Sequence, residues 1–283
     1  MHLEVAFLPR DATNLPQRVA LVIDVIRATS TLDAIFAAGA REVVLAESVA
    51  QARAVATQLP DAVLIGEVAG LLPPGFHFSN SPLALADAHF PGRSVVFTTT
   101  NGTRALRAAA GAAGVWSACL RNGRAVAEAA WHDANTRGLD LSIVCAGRAH
   151  GLQQGQDDVI CAGYLVEQCI RLAGGTVAEW RPDDDFRASL PPAPPTDGLE
   201  LDDSAWLALR LYRSVVHDPA SPTAAEIERV FRVTSVGEGL HRLGLDGDTT
   251  YCSQIDVSER VPLLGGGPHP LVLADALEVY EHA

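Results

Sequence analysis

Residues Val19-Ala20-Leu21-Val22-Ile23 form an unbroken apolar run. The run is far too short to span a bilayer, which takes roughly 20 apolar residues. It also lacks the apolar-polar alternation of a strand with one wet face. It is therefore expected to be a strand buried on both faces, as in parallel sheets covered by helices on each side. Similar runs recur, and the pattern predicts strands near 3–8, 19–24, 42–46, 62–66, 94–98, 114–118 and 140–145. Between them, helical patterns are predicted near 30–39, 48–58, 103–110, 122–136 and 157–173. Regular alternation of this kind predicts parallel βαβ units and a three-layer α/β/α fold with a mostly parallel sheet.

The C-terminal part reads as more helical. A helix is predicted from Asp203 to Val216, and Ser221-Pro222-Thr223-Ala224-Ala225-Glu226 has the look of a capped helix start with proline in the first turn. The chain is taken as a single α/β domain over 1–283. A division into two lobes stays open near 183–200, where Asp183-Asp184-Asp185 and Pro191-Pro192-Ala193-Pro194-Pro195 form a polar connection. Gly265-Gly266-Gly267-Pro268 is expected to be irregular, and no internal repeat is evident.

Composition narrows the function classes. With 283 residues, 48% of them hydrophobic, and a mean hydropathy of +0.15, the chain can bury a substantial core. A net charge of -13 argues against a general nucleic-acid or anionic-membrane surface, so an anionic ligand would need local positive charge. The N-terminal residues lack a basic segment followed by a long apolar run, and no later stretch approaches a membrane span, so a cytoplasmic location is expected. Cys119, Cys145, Cys161, Cys169 and Cys252 show no zinc or redox spacing and sit among apolar neighbours. They read as buried thiols, Cys145 being the candidate if one were catalytic. The nine histidines show no HExxH pattern, which argues against a zinc hydrolase.

Four predicted strand ends carry polar groups. The strand 94–98 leads into Thr98-Thr99-Thr100-Asn101-Gly102-Thr103-Arg104 at the head of a helix. There Asn101-Gly102 supplies a bend, Thr103 or Asn101 a cap, and Arg104 a planar fork for an oxyanion. A capped helix with a surface arginine explains the segment equally well. The run 19–23 ends in Asp24-Val25-Ile26-Arg27-Ala28-Thr29-Ser30-Thr31, the run 62–66 in Glu67, and the run 141–145 in Ala146-Gly147-Arg148, followed by Asp157-Asp158 at a helix head. Ligands of open α/β sheets bind at strand carboxyl ends, and scattered carboxylates beside arginines and hydroxyls suit a hard cation such as Mg²⁺ that bridges to a phosphate. Each acid also has a plain reading as a helix cap or a favourable charge at a helix start. Ser79-Asn80-Ser81-Pro82 either presents Asn80 and Ser81 to an anion or caps a helix at Ser81.

In order along the chain, the Asp24 to Thr31 block, Gly66-Glu67, Asn80-Ser81-Pro82, Thr98 to Arg104, Cys145-Ala146-Gly147-Arg148, Asp158 with Cys161-Ala162-Gly163, and Asp248 with Tyr251-Cys252 resemble the 2-phosphosulfolactate phosphatases. The resemblance reaches to about Pro262. It implies a Mg²⁺-dependent phosphatase that releases phosphate from 2-phospho-3-sulfolactate, a step towards coenzyme M, with a small anionic phosphoester as its partner. Homo-oligomers are common among such enzymes, which leaves a homo-oligomer open for this chain. The sequence departs from the family pattern in Asp157 where glutamate is usual, in Ser79 where glycine is common, and in the proline-rich stretch.

Together these readings nominate Asp24, Arg27 and Arg104 as catalytic, and Thr29, Asn80, Ser81, Thr100, Asn101, Gly102, Thr103 and Arg148 as substrate-binding. Asp24, Glu67 and Asp158 are nominated as Mg²⁺ ligands, with Asp248 a further acid of the family pattern. Direct attack by water and an aspartyl-phosphate on Asp24 both stay open. No Gly-x-Ser-x-Gly elbow or Gly-x-Gly-x-x-Gly turn appears. A haloacid-dehalogenase site would need a second aspartate where Ile26 stands. A non-catalytic binder of a phosphorylated or sulfonated metabolite is the alternative, but unneutralised carboxylates around its ligand would oppose binding.

Overall fold

The computed structural model describes residues 1–175, 198–265 and 271–276. All seven expected strands are present: β1 (His2–Ala6), β2 (Arg18–Ile23), β3 (Glu42–Leu45), β4 (Val63–Gly66), β5 (Ser94–Thr98), β6 (Gly114–Ala118) and β7 (Asp140–Cys145). They alternate with α1 (Ala28–Ala37), α2 (Val49–Ala56), α3 (Gly102–Ala108), α4 (Gly123–Arg137) and α5 (Gln156–Leu172). β8 (Glu200–Leu201), α6 (Asp203–Val215) and α7 (Ala224–Phe231) follow. The N-cap of α7 is Thr223, in a capping box with Glu226, so Pro222 lies before the helix and not in its first turn. Most of the polar connection at 183–200, together with Gly266 to Pro268, lies outside the described residues; Gly265 is irregular.

β2 confirms the logic of a two-sided strand. Val19, Leu21 and Ile23 pack into a core shared with α4, α5 and α6, whereas Ala20 and Val22 point into a second core with Leu32, Ile35 and Phe36 of α1 and Leu106 of α3. A strand wrapped by apolar side chains on both faces cannot expose its chemistry sideways, so polar groups are available only at its ends.

The sheet has the order β4-β5-β3-β10-β9-β6-β2-β7-β1-β8 and is mostly parallel. Sequence reading did not anticipate its centre. There β9 (Pro262–Leu264) and β10 (Val272–Asp275) insert between β6 and β3 by three antiparallel pairings. The block β4-β5-β3 therefore runs opposite to β6-β2-β7-β1-β8. Strand twist, roughly 20–25° per pair, accumulates over the pairings between β2 and β5 and turns one block towards the other. The turns after β2 and β5 meet at Gly102, where an added Cβ would lie 2.3 Å from Ala28 Cβ and 2.8 Å from Asp24 Oδ2. Two further helices, α8 (Ser235–Arg242) and α9 (Asp246–Cys252), complete the C-terminal part.

α5 and α6 approach so closely that a Cβ on Gly163 would fall 2.1 Å from the Ala208 carbonyl oxygen and 2.6 Å from Tyr212 Cβ. Gly163→Ala is expected to force the helices apart and destabilise the protein by about 1–3 kcal/mol, despite alanine's better helix propensity. A denaturant midpoint equal to or above wild type would show that this crossing can relax.

Candidate active site

Asp24 ends the β2 extension, almost fully buried. Its Oδ1 accepts from Ala28 N at 3.3 Å, and its backbone is locked to Thr29, whose hydroxyl accepts from Asp24 N and donates to the Asp24 carbonyl. Thr29 is thus occupied in holding the turn, and it does not line the cavity in front of Asp24. The next turn contains a cis peptide between Ile26 and Arg27.

That cavity, of about 280 Å³, has a polar side formed by Asp24, Arg27, Glu67, Asn80, Thr99, Thr100 and Asn101. Its other side is apolar: Ile26 together with Val236, Leu240 and Leu243, from α8 and the residue after it. Nothing in the local pattern of α8 marks it as a cavity wall, and sequence reading missed it.

Arg27 is 5% exposed and donates to Asp248 Oδ2 at 2.7 Å and to the Gly70 carbonyl at 3.4 Å. Asp248 on α9 also accepts from the Ser81 hydroxyl at 2.6 Å. Its role here is to aim the guanidinium and anchor the Asn80 turn, and Ser81 is consumed in that anchoring. Glu67 accepts from Thr100 N and Gly70 N, each at 2.7 Å, and so ties the β4 loop to the β5 turn. Thr103 is fully buried and exchanges hydrogen bonds with Thr99. It is a helix-start brace, not a ligand group. The side-chain oxygen of Asn80 is buried without a hydrogen-bond partner, although such atoms are normally satisfied.

The two acids heading α5 differ in their hydrogen bonding. Both oxygens of Asp158 are engaged at 3.0 Å, Oδ1 by Val25 N and Oδ2 by Gly147 N, so Asp158 staples the ends of β2 and β7 together. Asp157, the weaker candidate by sequence, has its Oδ1 buried and unpartnered. Arg148 donates from Nε to the Gln154 carbonyl, and its charge offsets part of the rise that burial causes in the Asp157 pKa. Arg104 is exposed and lines a different cavity, beyond Asn101. It therefore stands outside the lining of the Asp24 cavity.

Burial, reinforced by the like charges of Asp157 and Glu67, pushes the Asp24 carboxyl up to about 7. Burial likewise pushes Asp157 up to about 6, and burial with Asp157 and Asp24 nearby raises Asp158 strongly. Among the described residues no preformed cage of three or more His, Cys, Asp or Glu side chains exists. The donor set is all oxygen, with Asp24 and Glu67 on the cavity and an unpartnered oxygen on Asp157. Such a set fits a hard cation held by one or two carboxylates that keeps several waters.

A mixed sheet whose strand ends gather carboxylates, an arginine and amide groups around a half-apolar cavity is the build of an α/β enzyme acting on small anionic metabolites. The 2-phosphosulpholactate phosphatase family model matches residues 7–267. The chain is 37% identical over 268 residues to a protein of Deinococcus radiodurans, covering 94% of this chain and 95% of that one. It is 35% identical over 258 residues to one of Symbiobacterium thermophilum, covering 90% and 95%, and 34% identical over 267 residues to one of Thermus thermophilus, covering 94% and 95%. All three carry the name "Probable 2-phosphosulfolactate phosphatase". The chain belongs to the 2-phosphosulpholactate phosphatase family.

Two tests separate these roles. Asp158→Ala leaves Val25 N and Gly147 N unpaired and is expected to lose about 1–3 kcal/mol for each, whereas Asp157→Asn should unfold close to wild type. Equal losses in denaturant would contradict the division of labour. The pH dependence follows from the raised Asp24 pKa: the folded protein holds this proton above the ordinary 3.8, so stability associated with it is full at low pH and is lost as pH rises towards about 7. In metal-free buffer, Asp24→Asn should therefore gain stability relative to wild type between about pH 4 and pH 8. A difference independent of pH would contradict the buried, like-charged setting.

Proposed function

We propose that this chain hydrolyses a small phosphomonoester carrying further acidic groups, of the 2-phospho-3-sulfolactate type, to the alcohol and inorganic phosphate. Mg²⁺ is the cofactor in this reading, the step belongs to coenzyme M biosynthesis, and the enzyme works in the cytoplasm. The observation that carries the chemistry is the placement of Asp24 and Arg27 on one cavity at the end of β2, a buried carboxylate beside a guanidinium aimed by Asp248. A simple anion binder has no use for Asp24 and Glu67 beside its ligand, since their charge opposes it.

Asp24 and Glu67 would hold the metal, with Asp157 behind them and Asp158 fixing the turn. When bound, Mg²⁺ supplies positive charge at the transferring phosphoryl group and offsets the repulsion among these acids. Arg27 keeps donors free beyond those used by Asp248 and Gly70, and these bind phosphate oxygens by charge-assisted hydrogen bonds. Asn80 and Thr100 complete the polar wall. Ile26, Leu240 and Leu243 make the opposite side apolar. In the net reaction a water oxygen bonds to phosphorus, the bond from phosphorus to the ester oxygen breaks, and the alcohol leaves with a proton.

Phosphate release from a panel of phosphoesters should disappear in EDTA and return with Mg²⁺. Asp24→Asn should lower kcat/KM on the order of a hundredfold or more with no loss of stability. Arg27→Lys, which keeps the charge but loses the fork, should lower it by about 1.5–3 kcal/mol. Full turnover in EDTA, or near-normal turnover of Asp24→Asn, would overturn the reading.

A further inference from the structure

The short helix α8 contains two glycines, Gly237 and Gly239, and packing explains only the first. Gly237 is buried against the end of α7, where an added Cβ would lie 2.0 Å from the Phe231 carbonyl oxygen. At Gly239, outside its own helix backbone and chain neighbours, the nearest atom to an added Cβ is Arg242 Nη2, 3.9 Å away at the far end of an exposed side chain. Glycine inside a helix is less stable than alanine, so Gly239 carries a cost that no close contact requires. We propose that Gly239 is a specificity-determining residue of the Asp24 cavity: its missing side chain leaves space for the substituent on the ester carbon of the substrate. The proposal rests on the phosphatase reading above and adds the position that sets the size of the alcohol accepted.

Gly239 lines that cavity together with Val236, Leu240 and Leu243. These positions stand at i, i+3, i+4 and i+7, one face of a helix. A side chain at 239 would therefore project from the cavity face, beside Val236 and Leu243. The apolar wall thus has a gap in it, opposite the polar side that carries Asp24, Arg27 and Glu67. With the phosphoryl group held on that polar side, the carbon part of the ester is left the side of the gap.

The wall cannot retreat to make space in another way. The Thr234 hydroxyl caps α8 by accepting from Gly237 N at 3.1 Å and donates to the Phe231 carbonyl at 2.8 Å. Gly237 already presses on that carbonyl, and Leu240 is packed into the larger core. At the other end Leu243 Cδ1 lies only 3.0 Å from where a Cβ on Gly70 would stand, so α8 also abuts the loop after β4. In a cavity of about 280 Å³ bounded by a fixed wall, each carbon added at 239 is taken from the ligand.

The test measures kcat/KM with Mg²⁺ present for phosphoglycolate, 2-phospholactate and 2-phospho-3-sulfolactate in wild type, Gly239→Ala and Gly239→Leu. Along this series the substituent on the ester carbon grows from hydrogen to methyl to sulfomethyl. The ratio of the 2-phospho-3-sulfolactate value to the phosphoglycolate value is expected to fall on the order of tenfold in Gly239→Ala, and further in Gly239→Leu, with 2-phospholactate between. The unfolding midpoint of Gly239→Ala is expected at or above wild type, which a packing role for the glycine would not allow. Ratios equal to wild type in both variants would overturn the proposal while leaving the phosphatase reading intact, as would a lowered midpoint with equal losses on all three esters. If wild type hydrolyses none of them, the phosphatase reading fails, and calorimetric titration of the same esters into the three proteins decides the role of Gly239. Affinity losses in the variants that grow with substituent size support it. Equal losses, or no binding by wild type, overturn it.

Discussion

Buried like charge governs this structure. Asp24, Asp157 and Asp158 lie within reach of one another's fields with Glu67 beside Asp24, and burial raises the pKa of all three aspartates. Carboxylates removed from water are costly unless hydrogen-bonded or neutralised. The fold answers this unevenly. Asp158 and Glu67 each receive two backbone N–H groups, and Asp248 receives Arg27 and Ser81. Asp24 receives the Ala28 N–H, and one oxygen of Asp157 receives nothing. Asp24 and Asp157 are thus the incompletely compensated carboxylates of the cluster.

The scaffold makes that concentration of charge tolerable. β2 is clamped between β6 and β7 and covered on both faces, so Asp24 cannot swing out to solvent. Gly102 lets the turn after β5 press against it. The C-terminal helices then close the site from the far end of the sequence: α9 supplies the acid that aims Arg27, and α8 the apolar wall opposite. Asn101 stands between this acidic cavity and an arginine-lined one.

The fold was legible in the sequence where its signal was periodic. Val19 to Ile23 and its counterparts marked seven strands because burial on both faces demands continuous apolar runs. β9 and β10 escaped because three- and four-residue strands near a glycine-rich stretch carry no period. At the site, Asp24, Glu67, Asn80 and the Thr98 to Arg104 turn announced themselves as polar groups at strand ends. What a side chain does with its oxygens was not legible. Asp157 and Asp158 are adjacent in the chain, but only the approach of Val25 and Gly147 makes one a staple and leaves the other unpartnered. Thr29, Ser81 and Thr103 looked like ligand hydroxyls and serve as braces. Arg104 is two residues beyond Gly102, and in a helix that spacing sends the two positions to opposite sides.

Calorimetric titration of Mg²⁺ into the metal-free protein near neutral pH, with inorganic phosphate present, tests the central claim that the acids around Asp24 form the cation and phosphate site. Saturable binding by wild type, lost in Asp24→Asn although that variant unfolds cooperatively, is the outcome this account requires. Equal Mg²⁺ binding by the two proteins would place the cation elsewhere and contradict it.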